Sequence, residues 1–552
     1  MCTPMADTDI YKTLNQPRPW SNLNAFQSDP LLGDLTRSLG KPLREEFDAI
    51  GRYVTSPDAQ ELAQMANTSL PQLKTHGPAG ERLDVVSFHP AWHALMRRSM
   101  ASGLHSLLWE PPRDADSKSK AHKLRAVRVF LTAQLECGHL EPLSSTSASL
   151  AVLAAAPQLR DEWAPKILSR KYDSTNRAQN QKASATVGLA IAEKQAGSDM
   201  RALATKAHRV SEGVYRLSGH KWFVSAPMSD AFIMLADVDG KPGCFLVPRL
   251  LDEGRGNALR YQRLKDKLGL RSNAAAEVEF SDAFGFLLGP PDGGLRTILD
   301  MLTLMRLDSA VIASGLMRAA VAEATHAARG RKVAGRTLVV QPLMMRVLAD
   351  LALDVAAAGA LSFRLAESFD RARDSAEEAA YARVMTPVTK YWTTKIAPAV
   401  VAEAMEAMGG NGFVEDRPIA RHYRDAPGLA MHDGGGNLMA LDLRRVVEHG
   451  GELFEAVFQV IARDLGASGG KIVELLRAAM ALCKSDESAA RIFVEQLALA
   501  AGAAELYRLG AGRIADAFLE TRLAAGWRST YGMLDTRFDP SYIVELLFPE
   551  VD

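Results

Sequence analysis

The sequence predicts an α+β protein, mostly helical, with one compact β-domain set between helical regions. Two observations carry this. Apolar residues recur at helical spacing from about Leu31 to Arg177 and again from Gly294 to the end. Between Val187 and Pro290 they fall instead into short runs rich in β-branched and aromatic residues, bounded by Gly, Asp or Pro. The expected order is an extended arm (1–30), an N-terminal helical domain (31–185) and a middle antiparallel β-barrel or sandwich (186–292). A four-helix bundle (293–449) and an extra C-terminal helical domain (450–552) follow.

The first 30 residues contain Asn15, Pro17, Pro19, Ser21, Asn22, Asp29 and Pro30, too many turn formers for a helix or strand core. They could wrap a neighbouring subunit, but by composition they read first as a loose tail. Leu43, Phe47, Ile50 and Val54 mark one helix face, and Leu124, Val127 and Leu131 another. THGPAGERLD (from Thr75) and EPPRDADSKSK (from Glu110) read as loops between helices. In the β-region the strands are VYRLSGHKWFVS, AFIMLADV, GCFLVPRL and AAEVEFSDA, with Asp237–Gly243 as a hairpin connection. The Ala/Leu-rich stretch MRVLADLALDVAAAGALSFRLAESF suits close helix packing. GGNGF (Gly409–Phe413) and HDGGGN (His432–Asn437) interrupt the helices of this region, and glycine there lets the backbone approach something closely. Leu465–Lys471 reads as a joint in the last segment.

Composition narrows the function. In 552 residues, 65 Lys and Arg balance 65 Asp and Glu, so the global basic field of a nucleic-acid binder is absent. Cys2, Cys137, Cys244 and Cys483 are too scattered for a disulfide framework or a zinc site. The acidic N-terminus is unlike a signal peptide, and the run from Ser147 is too short to cross a membrane. A soluble, cytoplasmic protein is the expectation. No P-loop, H-E-x-x-H, dinucleotide fingerprint or nucleophile elbow is present.

Four segments place polar groups in glycine-containing or strand-edge contexts: Ala192–Met200 (AEKQAGSDM), Gly219–Ser225 (GHKWFVS), Gly330–Gln341 (GRKVAGRTLVVQ), and the pair Glu406–Phe413 with Arg424–Asn437. As residues alone they have ordinary readings. Ser225 is a strand-end serine beside two core aromatics, Arg331 a solvated helix arginine, and Gly409–Gly410 a helix cap. Asp433 reads as an Asp capping the turn before three glycines.

Taken together and in order, these segments resemble the flavin-dependent acyl-CoA dehydrogenase superfamily. The likeness is closest to its AidB branch, the bacterial DNA-alkylation-response flavoproteins. It extends through NQPRPWSNLNAFQSD (from Asn15), RLDVVSFHPAWHALM (from Arg82), RLKDKLGLRSNAAAEVEF (from Arg263), QPLMMRVL (from Gln341), GNLMALDLRRV (from Gly436) and MLDTR (from Met533). The resemblance implies FAD between the β-domain and the bundle, in a homotetramer where a second subunit closes over the adenine end. It implies that the Ser225 hydroxyl meets the reactive flavin nitrogen, with Phe223 packed beside the ring. Arg331 would pair with the pyrophosphate, which a planar five-donor cation suits. Ile191, Ala192, Ser198, Gln341, Gly409, Gly410, Gly435 and Asn437 would complete the cofactor site.

In that family a carboxylate removes a substrate α-proton while the β-hydrogen leaves as hydride. The gap-free match from Arg424 puts Asp433 at the base, where Glu is usual. Ala192 stands where the family has a flavin-bonding Thr, Ala334 replaces the Phe of R-x-x-F-G, one extra residue precedes Arg331, and His432 replaces an aromatic. The losses cluster on flavin and substrate contacts while the scaffold motifs persist.

Three functions stay open. One is an acyl-CoA dehydrogenase-like oxidoreductase with Asp433 as base, acting on an acyl-CoA or another small acid. A second is a flavoprotein that holds duplex DNA with little turnover, with Arg445 and Arg537 at the branch's basic positions. The third is a flavin oxidase or monooxygenase of a specialised pathway. Charge weighs against DNA, since 451–552 holds ten Lys/Arg against fifteen Asp/Glu and phosphate contacts dominate DNA affinity.

Overall fold

The computed structural model describes residues 14–112, 119–252, 254–523 and 537–550. Cys2 and the Met533–Thr536 part of the MLDTR run lie outside them. The arm is not a loose tail over its described part. Asn24 accepts from Phe26 N at 3.0 Å and donates to Asp48 Oδ1 at 2.6 Å, and Ala25, Ser28 and Asp29 are buried. Asn15 is bonded to the Lys332 backbone in both directions, at 2.6 and 2.8 Å. Side-chain amides replace the absent helix or strand ladder as the anchor, which composition alone hides.

The N-terminal helices are α1 (Pro30–Thr36), α2 (Lys41–Val54) and α3 (Pro57–Thr68), then α4 (Pro90–Ala101), α5 (Ala121–Ala133), α6 (Leu140–Leu153) and α7 (Pro157–Ile167). Pro occupies the first turn of α1, α2, α3, α4 and α7, where its missing N–H has no helical partner to lose. The all-helical expectation fails once. Gln72–His76 (β1) and Arg82–Ser87 (β2) form an antiparallel hairpin whose turn is part of the segment read as a loop. Its strands are too short and too polar to show a clean alternation.

Seven strands build the β-domain: β3 (Val187–Ala190), β4 (Lys206–Ser211), β5 (Val214–Ser225), β6 (Ala231–Val238), β7 (Lys241–Pro248), β8 (Leu259–Leu264) and β9 (Ala275–Leu287). The order is β3-β5-β4-β6-β7-β9-β8, with extra β3–β6 and β5–β9 pairings that close it. It is not wholly antiparallel, because β3 runs parallel to β6. The β6–β7 turn carries Asp239 and Gly240 at φ 51° and 87°, as a tight hairpin needs.

Beyond it, α8 (Gly294–Gly330), α9 (Pro342–Arg371) and α10 (Ala376–Ala407) are long and alanine-rich, and they pack with α11 (Pro418–Met431) and α12 (Gly436–His449). A two-strand hairpin, β10 (Lys332–Val333) with β11 (Arg336–Thr337), links α8 to α9. The last helices are α13 (Gly451–Leu465), α14 (Gly469–Ser485), α15 (Ala490–Arg508), α16 (Gly512–Arg522) and α17 (Pro540–Leu547). Leu443 and Val447 of α12 share one buried core with Phe454, Phe458 and Phe493 from these helices. Among the described residues no helix is long and apolar enough to cross a membrane.

Candidate functional site

The end of β5 is one focus. Ser225 pairs with Leu189 of β3 and Ala275 of β9, which fixes its backbone. Its Oγ is buried, and no described residue hydrogen-bonds it. Register shifts between Lys221 and Val224, so Trp222 and Phe223 both turn outward, and Phe223 is 47% exposed. Ile191 and Ala192 lie beside them, and the Ala192 carbonyl accepts from Trp222 N at 2.8 Å.

A buried ion pair holds this corner. Lys221 Nζ donates to Glu193 Oε1 at 2.6 Å, Leu235 O at 2.7 Å and Ile191 O at 3.4 Å. Glu193 also accepts from the Thr205 hydroxyl at 2.6 Å and Ala204 N at 2.7 Å. Burial works to raise the Glu193 carboxyl, but the Lys221 charge and these bonds outweigh it and bring it to about 2. Burial lowers the Lys221 ammonium to about 8 against the pull of Glu193. Ser198 sits exposed in the same 191–205 loop.

Asp433 is the second focus, in the loop between α11 and α12, with φ 55°. Asp tolerates this left-handed region better than most residues. Three side chains brace it. Arg306 Nε donates to its carbonyl at 3.2 Å, and Ser309 Oγ donates to its Oδ2 at 3.2 Å. Lys390 Nζ donates to the flanking carbonyls of Ala430 at 3.1 Å and Gly434 at 2.5 Å. No described residue hydrogen-bonds the other carboxyl oxygen, Oδ1. Burial raises the Asp433 carboxyl above the ordinary aspartate range; His432 and Lys390 oppose this and Glu141 adds to it. Burial also lowers Lys390 to about 8. The two foci are linked through Asn273, which lies two residues before Ala275 and donates to Glu141 Oε2 at 2.6 Å.

The other expected cofactor residues gather elsewhere. Arg331 caps α8 and donates to Asn15 O at 3.2 Å; Gln341 caps the start of α9 and donates to Val333 O at 3.1 Å. Ala334 and Gly335 form the hairpin turn at φ 49° and 79°. Asn411, beside Gly409 and Gly410, donates to Gln16 Oε1 at 2.9 Å, so the arm joins this turn to the Arg331 hairpin. A Cβ added at Gly409, Gly410 or Gly435 would meet no atom within 4 Å, so these backbones face open space. Asn437 lies apart, bonded to Arg491 at 2.8 Å.

These features fit a flavin. Ser225 offers an unpartnered hydroxyl, Phe223 an exposed ring with Lys265 Nζ over it at 4.6 Å, and the glycines leave backbone open to phosphates. Of the expected DNA residues, Arg445 is exposed on α12 and Arg537 pairs with Glu520 at 3.0 Å. Sequence reasoning missed Lys221, Glu193, Arg306, Ser309, Lys390 and Glu141. Lys221 and Glu193 stood inside quoted motifs, whereas the other four carry no local signal and meet only through the fold.

Comparison with known proteins matches three consecutive stretches. Residues 15–174 match the adaptive response protein AidB N-terminal domain. Residues 188–283 match the acyl-CoA dehydrogenase middle domain and 292–448 its C-terminal domain. The chain is 38% identical to the AidB protein of Escherichia coli K12, over 93% of this chain and 94% of that one. Among solved structures, the apo-form of Bd2924 has a TM-score of 0.82 and 25% identity, covering 90% of this chain and 99% of that one. Caenorhabditis elegans ACDH-11, solved with C11-CoA, has a TM-score of 0.83 and 23% identity, covering 97% of each chain.

Proposed function

The chain belongs to the acyl-CoA dehydrogenase superfamily, within its AidB branch, and from that membership we propose an FAD-dependent oxidoreductase that uses Asp433 as base on an acyl thioester. The observation that carries this reading is Asp433 itself: a carboxylate braced by Arg306, Ser309 and Lys390 with Oδ1 free to accept a proton. FAD, when bound, supplies the two-electron acceptor for the β-hydrogen. Phe223 and Ser225 would hold its ring, and Arg331, Gln341 and the Gly409–Gly410 backbone its phosphate end. Asp433 takes the substrate α-proton onto Oδ1. Its raised affinity for protons strengthens it as a base, provided the working pH keeps it ionised.

The phosphate-end residues form a separate group from Ser225, and Val333, Val340, Leu343, Phe413 and Val414 are exposed around them. Large apolar side chains grouped on a surface suit burial by another protein. Both facts support assembly with further copies, each completing its neighbour's cofactor site. The DNA-holding alternative draws on no comparable observation. Arg463, Arg477, Arg508 and Arg522 are all paired with carboxylates.

The test is an absorption spectrum followed by anaerobic titration with a panel of acyl-CoAs. Bleaching of the flavin band in the wild type, lost in Asp433→Asn with flavin retained, is the expected result. A band that no thioester bleaches, with oxygen uptake on a small acid, would turn the reading to an oxidase. A band that nothing bleaches, with tight duplex binding, would turn it to the DNA-holding protein.

A further inference from the structure

Between Lys123 and Leu150 every residue is buried except Glu141. The interior opens at that one side chain, in the first turn of α6. An acid there suits the positive end of the helix dipole, which accounts for the residue type but not for the opening.

The opening lies between the two foci. Asn273, two residues before Ala275, donates to Glu141 Oε2 at 2.6 Å, and Ala275 pairs with Ser225. One turn further along α6, Ser145 Oγ donates to Val187 O of β3 at 2.7 Å, and β3 also pairs with Ser225. Ser144 Oγ donates to Asp308, the neighbour of the Ser309 that bonds Asp433. The Glu141 charge reaches Asp433 as well and adds to the rise in its proton affinity. The start of α6 is thus bonded to the strands beside Ser225 and to the helix that braces Asp433.

The Glu141 carboxylate is held at one oxygen and open at the other. Asn273, 1% exposed, fixes Oε2, and no described residue bonds Oε1. The nearby cations are committed elsewhere. Lys390 serves the carbonyls of Ala430 and Gly434, Arg306 pairs with Asp442 at 3.0 Å, and Arg125 pairs with Asp308. Lys267 feels the Glu141 charge more than that of Asp425 or Glu136, yet its Nζ is buried and makes no hydrogen bond with a described residue. A carboxylate oxygen left open in this way takes a donor from a bound molecule, and such a charge-assisted bond is about twice as strong as a neutral one. A second carboxylate brought there meets like charge instead.

We propose that Glu141 is a specificity-determining residue that selects thioesters with a hydroxyl on the acyl chain. Its Oε1 accepts from that hydroxyl while Asn273 keeps the carboxylate turned toward the chain. The preferred substrate class is an ω-hydroxyacyl-CoA rather than a plain or dicarboxylic one. The inference rests on the reading of Asp433 as base on an acyl thioester.

The test uses the full chain with its flavin, under anaerobic conditions, with Kd read by calorimetry and flavin bleaching recorded on the same samples. The probes are 4-hydroxybutyryl-CoA and 6-hydroxyhexanoyl-CoA, their methyl counterparts pentanoyl-CoA and heptanoyl-CoA, and succinyl-CoA. At least one hydroxyacyl thioester should bind about tenfold tighter than its counterpart, the worth of one hydrogen bond to a charged group, and succinyl-CoA should bind weakest. Glu141→Gln should bring that pair to within about threefold and relieve the rejection of succinyl-CoA, since glutamine keeps the shape and loses the charge. The wild-type comparison decides by itself should the variant not fold. Hydroxyacyl thioesters that bind no tighter than their counterparts, or a preference unchanged in the folded variant, would overturn the proposal. If pentanoyl-CoA still bleaches the flavin in that case, only the role of Glu141 falls. If no thioester binds at all, the acyl-thioester reading falls with it.

Discussion

Lys221→Met should both destabilise the protein and loosen its grip on flavin. Lys221 and Glu193 have side chains 0% and 1% exposed, bonded at 2.6 Å. Removing the ammonium leaves a buried carboxylate with only hydroxyl and amide donors, at a cost of about 3–5 kcal/mol. The same change frees the carbonyls of Leu235 and Ile191, each worth about 1–3 kcal/mol if it stays unpaired. Ile191 and the 191–205 loop are part of the expected cofactor site, so the damage should reach flavin affinity. Lys221→Met/Glu193→Gln removes both charges and should recover most of the loss, since the penalty lies in the unmatched ion. Thermal unfolding and FAD titration on wild type, single and double variants form the assay. The pair also sets a pH signature. Glu193 is depressed in the folded state, so its stabilisation is full above the ordinary glutamate range and fades as pH falls toward about 2. A single variant that melts with wild type and binds FAD equally well would refute the reasoning.

Activity should fall on the acid side as pH drops through a value above the ordinary aspartate range, because Asp433 must be ionised to act. Ser309→Ala removes a bond that favours the carboxylate and should move that acid limb to higher pH; an unmoved limb would count against Asp433 as the base. Ser225→Ala should raise the Kd for FAD by up to about tenfold, the worth of one hydrogen bond, as read by fluorescence titration. Asp433→Glu puts in the residue that the family resemblance leads one to expect but lengthens a side chain set on a left-handed backbone, within the influence of the Glu141 charge. A misplaced base costs on the order of 100-fold, so stopped-flow bleaching should slow, and an equal or faster rate would show that the loop is not fitted to Asp.

The broad layout was legible because its signals are periodic. Phe47, Ile50 and Val54 line one face of α2, and the four β-runs became β5, β6, β7 and β9. The β1–β2 hairpin was hidden because Gln72, Lys74, Arg82 and Asp84 alternate with too few apolar residues. The arm was hidden because its anchors are single amides, Asn15 and Asn24, that composition counts as turn formers. The motif could single out Asp433 as a candidate base, but it could not reveal the side chains that brace it. Arg306 and Ser309 lie on α8 and Lys390 on α10, more than 40 residues away in sequence, and only packing joins them.

Departures from the family pattern remove side chains where backbone does the holding. At Ala192 the methyl cannot replace a threonine hydroxyl, yet the carbonyl still fixes Trp222 N at 2.8 Å. The loop around it is tied down by Glu193, one residue on, whose bonds to Lys221, Thr205 and Ala204 do not depend on residue 192. At Ala334 the phenylalanine ring is gone, but the hairpin remains closed through Lys332–Thr337 and Val333–Arg336 pairing. Its left-handed φ of 49° favours a small residue. On the proposed reading each site gives up one contact to a cofactor, while its backbone bonding is retained. The expected consequence is a weaker cofactor grip on an intact frame, graded in Kd, rather than a collapsed pocket. Asp433 follows the same logic with the opposite emphasis: the carboxylate is shorter than the glutamate the family resemblance leads one to expect, while Lys390 and Arg306 hold the short 430–434 backbone stretch through the carbonyls of Ala430, Asp433 and Gly434. If Asp433 is the base, as proposed, its firmly held backbone requires the substrate α-carbon to come to it, and the shorter side chain should then select among substrates rather than abolish the chemistry.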